Sequence, residues 1–250
     1  MSTNPFGNLN TDGMEEVTDR LGGGFQARDS GAYDMKVKAM YAGVSEKGAK
    51  NVSVILEDEK GEYRETIYVT NRAGENWFLN KDDKTKKVPL PGFTAVDHLC
   101  KLATGQALAD QEWEEKTIKL YDIDAKKELP KAVMMCVSML GLPITVGLIK
   151  TLKNKGVEQP DGKYIDGPEE RNEVNISKVF HTDTKMTVAE LEANKTEAEF
   201  YEPWVKKNTG FVNDKRTIKD GQGGKVAGAP QASGAAGATA PKKSLFPAKS

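Results

Sequence analysis

The chain has 250 residues, 38% hydrophobic and 29% charged, with a formal net charge of −1. That length suits one compact domain plus an unstructured end, or two small domains. With 36 basic against 37 acidic residues, a strongly basic nucleic-acid binder is excluded at the level of the whole chain, and only a local basic groove could serve that role.

The opening stretch, MSTNPFGNLNTDGMEE, has neither a basic n-region nor an apolar core, so no secretory signal is expected. Asp12 and Glu15 fit a capping box for a short helix from Met14 to Leu21, stopped by Gly22-Gly23-Gly24. Residues 1–30 are thus expected to form an N-terminal helical arm. From Gly31 the period changes to two. Tyr33, Met35, Val37, Ala39 and Tyr41 mark one strand, and Val52, Val54 and Leu56 a second. In a third, Tyr63, Glu65, Ile67 and Val69 share a face opposite Arg64, Thr66, Tyr68 and Thr70. Three strands joined by polar turns form a meander, the opening of many small barrels.

Thr94 to Ala103 reads as a helix capped by Thr94 and ended at Gly105, and Lys116 to Tyr121 as a strand. Ala132 to Leu140 is apolar without a decisive period, so strand and helical turn both remain open. Pro143 to Leu152 and Asn175 to His181 read as strands, with a turn at Pro160-Asp161-Gly162. Val188 to Asn194 and Glu199 to Asn208 read as helices, with Phe200 and Trp204 on one face. After Asn213 the chain is Gly-, Ala- and Pro-rich, and disorder is expected. From Phe211 onward it carries seven cations against two anions and ends in a small apolar island, Leu245-Phe246-Pro247. The expected fold class is mainly β: an OB-fold-like β-barrel over residues 31–212, with additional helices and a disordered C-terminal tail over 213–250.

The segment YRETIYVTNRAGENWFLNKDDKTKKVPLPGF, Tyr63 to Phe93, carries the clearest chemical signal. Trp77 and Phe78 are neighbours on a short β-pattern, so their side chains point to opposite faces and one ring is left exposed. Arg72, Lys81, Lys84, Lys86 and Lys87 surround them. Rings stack on bases and ammonium groups sit on phosphates, which is how unpaired nucleic acid is held without sequence preference. The outward positions of the strands add Lys36, Lys38, Arg64 and Tyr68. In OB-type barrels that face, with its adjacent loops, binds oligonucleotides.

The enzyme signals are weaker. His98 and His181 are the only histidines, and neither has a ligand-spaced partner. The two cysteines, Cys100 and Cys136, lie far apart with no CxxC, so a reducing, cytoplasmic setting is expected. Asp82-Asp83 and the pair Asp122 and Asp124 are the candidates for an alternative Mg²⁺-dependent nuclease, although isolated acidic pairs are usually solvated turns. No nucleophile has an evident base partner. No cofactor, metal or membrane contact is expected. A third reading is an adaptor that binds proteins through its tail.

The segments NPFGNLNTDG, EYRETIYVTNRAGENWFLNKDDKTKKVPLPGFTAVD, DAKKELPKAV, MLGLPITVGLIK and NEVNISKVFH resemble, in content and order, the single-stranded DNA-binding proteins of tailed bacteriophages, over roughly residues 1 to 210. The resemblance implies an OB-fold core that coats unpaired DNA in phage replication or recombination, in the host cytoplasm. It also implies a tail that recruits replication or recombination proteins. The tail here is basic where many such proteins end in an acidic one, so the acidic-tail mechanism is not carried over.

Overall fold

A computed structural model describes residues 27–122 and 125–218, with the side chain of Asp122 left aside. The expected helix at Met14–Leu21, Asp124 and the chain after residue 218 lie outside the described residues. The described chain is mainly β with added helices. It divides into two compact units. One runs to Leu152 and resumes at Asn172–Asp214, and the other holds Lys153–Arg171 and Lys215 onward.

In the first unit β1 (Gly31–Val44), β2 (Lys50–Asp58) and β3 (Gly61–Tyr68) form the expected antiparallel meander. On its other edge β1 pairs first with β8 (Pro143–Glu158), over Gly31 to Lys36, and then with β7 (Lys127–Cys136), at Tyr41 and Ala42. The alternation of β1 does not hold throughout. A bulge between Val37 and Ala39 shifts the register by one residue, and a shift of one exchanges the two faces. Met40 is therefore buried in the core with Met35 and Val37. Ala39 and Tyr41, which unbroken alternation would put on the face of Met35 and Val37, face outward into a second apolar cluster with Ile55, Val133 and Met135. That cluster joins the meander to the hairpin of β6 (Trp113–Asp122) and β7. The undecided run Ala132–Leu140 is thus the end of β7 followed by one 3₁₀ turn.

The main core lies between the inner face of the meander and α1 (Pro91–Thr104). The helix starts three residues earlier than expected. Pro91 sits in its first turn, where a missing N–H costs nothing, and Leu90 precedes it without a side-chain cap. Gly105, at φ 78°, ends it. Farther on, α2 (Val188–Glu192) opens with a Thr187–Glu190 capping box, and α3 (Tyr201–Asn208) places Trp204 on β8. A Cβ at Gly147 would lie 2.5 Å from the Trp204 ring, so the helix docks only where β8 has no side chain.

The strands run in the order β3-β2-β1-β8, with β9 (Tyr164–Phe180) paired to β8. Among the described residues β3 and β9 share no ladder. Side chains join them instead. Tyr63 Oη donates to the Val174 carbonyl at 3.0 Å and to Glu65 Oε2 at 2.6 Å. Glu65 Oε2 also accepts the Ile176 N–H at 2.9 Å, and its Oε1 accepts from Asn175 Nδ2 at 3.0 Å. One carboxylate holds the seam that a full barrel would close with backbone bonds. The edge before β1 is fixed by Arg28, whose guanidinium donates two bonds of 2.7 Å to Asp58 and one of 2.7 Å to the Gly61 carbonyl.

The expected disorder from Asn213 begins too early. Val212–Asp214 forms β10, parallel to β8 at Lys150–Leu152. In the second unit Asn154 imitates a strand edge. Its Oδ1 accepts the N–H groups of Thr217 and Ile218, and its Nδ2 donates to the Ile218 carbonyl. Thr217 also donates to Asp166, and Arg216 pairs with Glu170. These bonds fix a chain too poor in apolar residues to fix itself. That is why composition alone missed them.

Glu65→Ala removes one of the two acceptors of the Tyr63 hydroxyl and the acceptor of the Ile176 N–H. We expect a loss of about 1–3 kcal/mol in urea unfolding; an unchanged midpoint would show that the seam contributes nothing. Arg28 hydrogen bonding holds the Asp58 carboxyl below its ordinary value. The resulting stability is present above the unfolded-state value near about pH 4 and is lost as pH falls through the depressed one. Asp58→Asn should therefore flatten the acid limb of the stability profile.

Candidate nucleic-acid interface

The residues singled out from the sequence fall into two groups. The first lies on the outer face of the meander. Lys36, Lys38, Arg64 and Tyr68 are all exposed there. Two of the cations are already engaged. Lys38 Nζ lies 2.6 Å from Glu62 and 3.3 Å from Glu57, and Arg64 donates to Glu62 at 2.5 and 2.9 Å. Glu62 raises the Lys38 pKa, and Lys38 in turn lowers that of Glu62. As free phosphate contacts, Lys38 and Arg64 are thus weaker than the sequence implied. Lys36 has no carboxylate within ion-pair distance among the described residues. Tyr68, at the far end of β3, is 52% exposed.

The second group sits on a separate two-stranded ribbon, β4 (Trp77–Leu79) and β5 (Lys87–Pro89), inserted between β3 and α1. Its loop is built by short polar side chains. Asn80 Oδ1 accepts the N–H groups of Asp82 and Asp83, and Asp83 accepts from both the N–H and the hydroxyl of Thr85. The Thr85 hydroxyl holds the Asp83 pKa down, and Lys86 pairs with Asp83 at 3.2 Å. Asp83 is a turn former here. Among the described residues no three His, Cys, Asp or Glu side chains are grouped to hold a metal ion.

On the ribbon Trp77 is half-buried, and Lys87 Nζ lies 4.0 Å from its ring centre. One indole face is therefore occupied by a cation. Phe78 points the other way and is 43% exposed, with Leu79 beside it. Adjacent positions on a strand do face opposite sides, and Phe78 is the open ring. Arg72, Lys81 and Lys84 are exposed and make no ion pair among the described residues. The ribbon returns to the meander at Gly92, where a Cβ would lie 2.2 Å from the Tyr68 carbonyl oxygen. Tyr68 thus stands at the ribbon's root. Arg64 lies four residues back along β3, about 13 Å away at strand rise.

The sequence did not single out Tyr41, Tyr121 or Lys131, which share a groove with Arg64. The bulge that turns Tyr41 outward has no sequence signal here, and Lys131 lies in a stretch before Ala132 to which no element was assigned. His98 lines a cavity of about 430 Å³ with Lys178 and Phe200, and burial lowers its pKa. His181 Nδ1 accepts from the Thr184 N–H in a turn. Cys100 and Cys136 are free and buried, and burial raises both thiol pKa values. No described helix is long and apolar enough to cross a membrane.

No family model matches the chain, and no curated protein or solved structure aligns with it.

Lys87→Ala uncovers one face of Trp77. We expect acrylamide to quench tryptophan emission more strongly than in the unmodified protein; equal quenching would show that the lysine does not shield the ring.

Proposed function

We propose that this protein binds single-stranded DNA without regard to sequence and makes or breaks no bond in it. The observation that carries the reading is the open Phe78 ring on the same short ribbon whose loop carries Lys81 and Lys84, exposed cations without a carboxylate partner among the described residues. Tyr68 at the ribbon's root supplies a second exposed ring. Every base has a π-face, so such rings accept any sequence, while the ammonium groups neutralise phosphates. The role proposed is coating and protection of unpaired DNA during phage replication or recombination, in the host cytoplasm. Replication or recombination proteins are the proposed partners of the basic tail. The engaged state of Lys38 and Arg64 fits a binder of moderate charge, in keeping with a net charge of −1.

The test is titration of tryptophan emission with poly-dT at two salt concentrations, alongside a gel-shift assay. Quenching and a shift are expected, with a log–log salt slope of about −0.7 per phosphate neutralised. Phe78→Ala should weaken binding by about 1–3 kcal/mol on poly-dT and poly-dA alike. Glu62→Gln, which releases Arg64 and leaves Lys38 only its weaker pair with Glu57, should tighten binding and steepen the slope. No quenching and no shift at low salt would reject the reading.

A further inference from the structure

The outer face of the meander and the β6–β7 hairpin touch at one end and part at the other. Where they touch, Val133 and Met135 of β7 pack against Ala39 and Ile55. Period two puts Lys131 and Leu129 on that same inward face of β7. Their partners across the hairpin are Ile118 and Leu120. Lys131 is nevertheless exposed and makes no ion pair among the described residues. A lysine at the inward position of a hairpin that otherwise packs on apolar side chains needs water or an anion beside it. The space is there. A groove of about 380 Å³ runs between Leu120, Leu129 and Lys131 on one wall and Tyr41 and Arg64 on the other. That volume lies at the lower end of the range for small-ligand sites, roughly 300–1,000 Å³.

The Arg64 guanidinium is held in place by its two bonds to Glu62, yet its side chain is 53% exposed. A neutralised, fixed guanidinium makes a stacking plane more than a phosphate contact. A second depression, lined by Tyr41, Arg64, Ser53 and Thr66, continues from the groove along β2 and β3. Thr66 is two residues from Tyr68 on the same face of β3, so the path leads toward the ribbon's root.

We infer that this groove is a nucleotide subsite for the bound strand. A base lies against Tyr41 and the Arg64 plane, with Leu120 and Leu129 as the apolar wall and Lys131 on the adjoining phosphate. Tyr121, 58% exposed at the mouth, offers a further ring. The inference rests on the single-stranded DNA reading and extends it from the ribbon to the hairpin.

Lys131 is exposed, so Lys131→Ala tests the subsite without threatening the fold, and an unchanged thermal midpoint verifies that. On poly-dT the variant should bind several-fold more weakly, and its log–log salt slope should fall in magnitude by about 0.7, one phosphate's worth. Photocrosslinking of oligo-dT carrying 5-iodo-deoxyuridine should label the segments holding Tyr41 or Tyr121 as well as Phe78. Wild-type affinity and slope in Lys131→Ala, with crosslinks confined to the ribbon, would overturn the subsite and leave the DNA reading standing. Failure of the unmodified protein to bind poly-dT would overturn both.

Discussion

The bulge in β1 is the constraint on which the rest of the first unit depends. Before it, Met35 and Val37 face the core; after it, Met40 takes their place and Ala39 and Tyr41 turn outward. A straight strand would carry one apolar face and one polar face. This one is apolar on both sides in its second half, so it buries the core below and seats the β6–β7 hairpin above. The same bend lets its outer edge serve β8 first and β7 afterwards.

Charge is arranged around that frame in two ways. On and beside the meander, three cations are tied to carboxylates: Arg28 to Asp58, Lys38 and Arg64 to Glu62. On the ribbon and at the inward position of β7, Lys81, Lys84 and Lys131 stand without carboxylate partners among the described residues. In a chain of net charge −1 it is this local imbalance, and not the total, that decides where an anionic polymer can be held.

The meander, α1, the turn at Gly162 and the two short C-terminal helices were legible from the sequence because period two, period 3.6 and glycine punctuation are local signals. The core positions Met35, Val37, Val52, Val54, Leu56, Ile67 and Val69 followed from the same alternation. The outward turn of Tyr41 was hidden, because a bulge depends on the partner strand's register and leaves no mark of its own in the residues of β1. The pairing of Lys38 and Arg64 with Glu62 was hidden for a related reason: ion pairs across neighbouring strands need the register before they can be read. Strand β10 escaped because it rests on a ladder with Lys150–Leu152, far back in the chain, and the anchoring of residues 217 and 218 because it rests on Asn154, a single amide equally distant in sequence. Of the proposed binding residues, the ribbon set was readable as a contiguous run, whereas Leu129 and Lys131 lay in a stretch to which the sequence pattern assigned no element.

Gly147 and Trp204 carry a consequence for how this fold can vary. The indole fills the notch that the missing side chain leaves on β8, with Phe180 in edge contact at 5.7 Å. Neither residue can change alone: alanine at the notch collides with the ring, and a smaller residue at 204 leaves a hole over the strand. The two positions are thus expected to be inherited as a matched pair, and any graft of this helix onto a different sheet must bring its socket along.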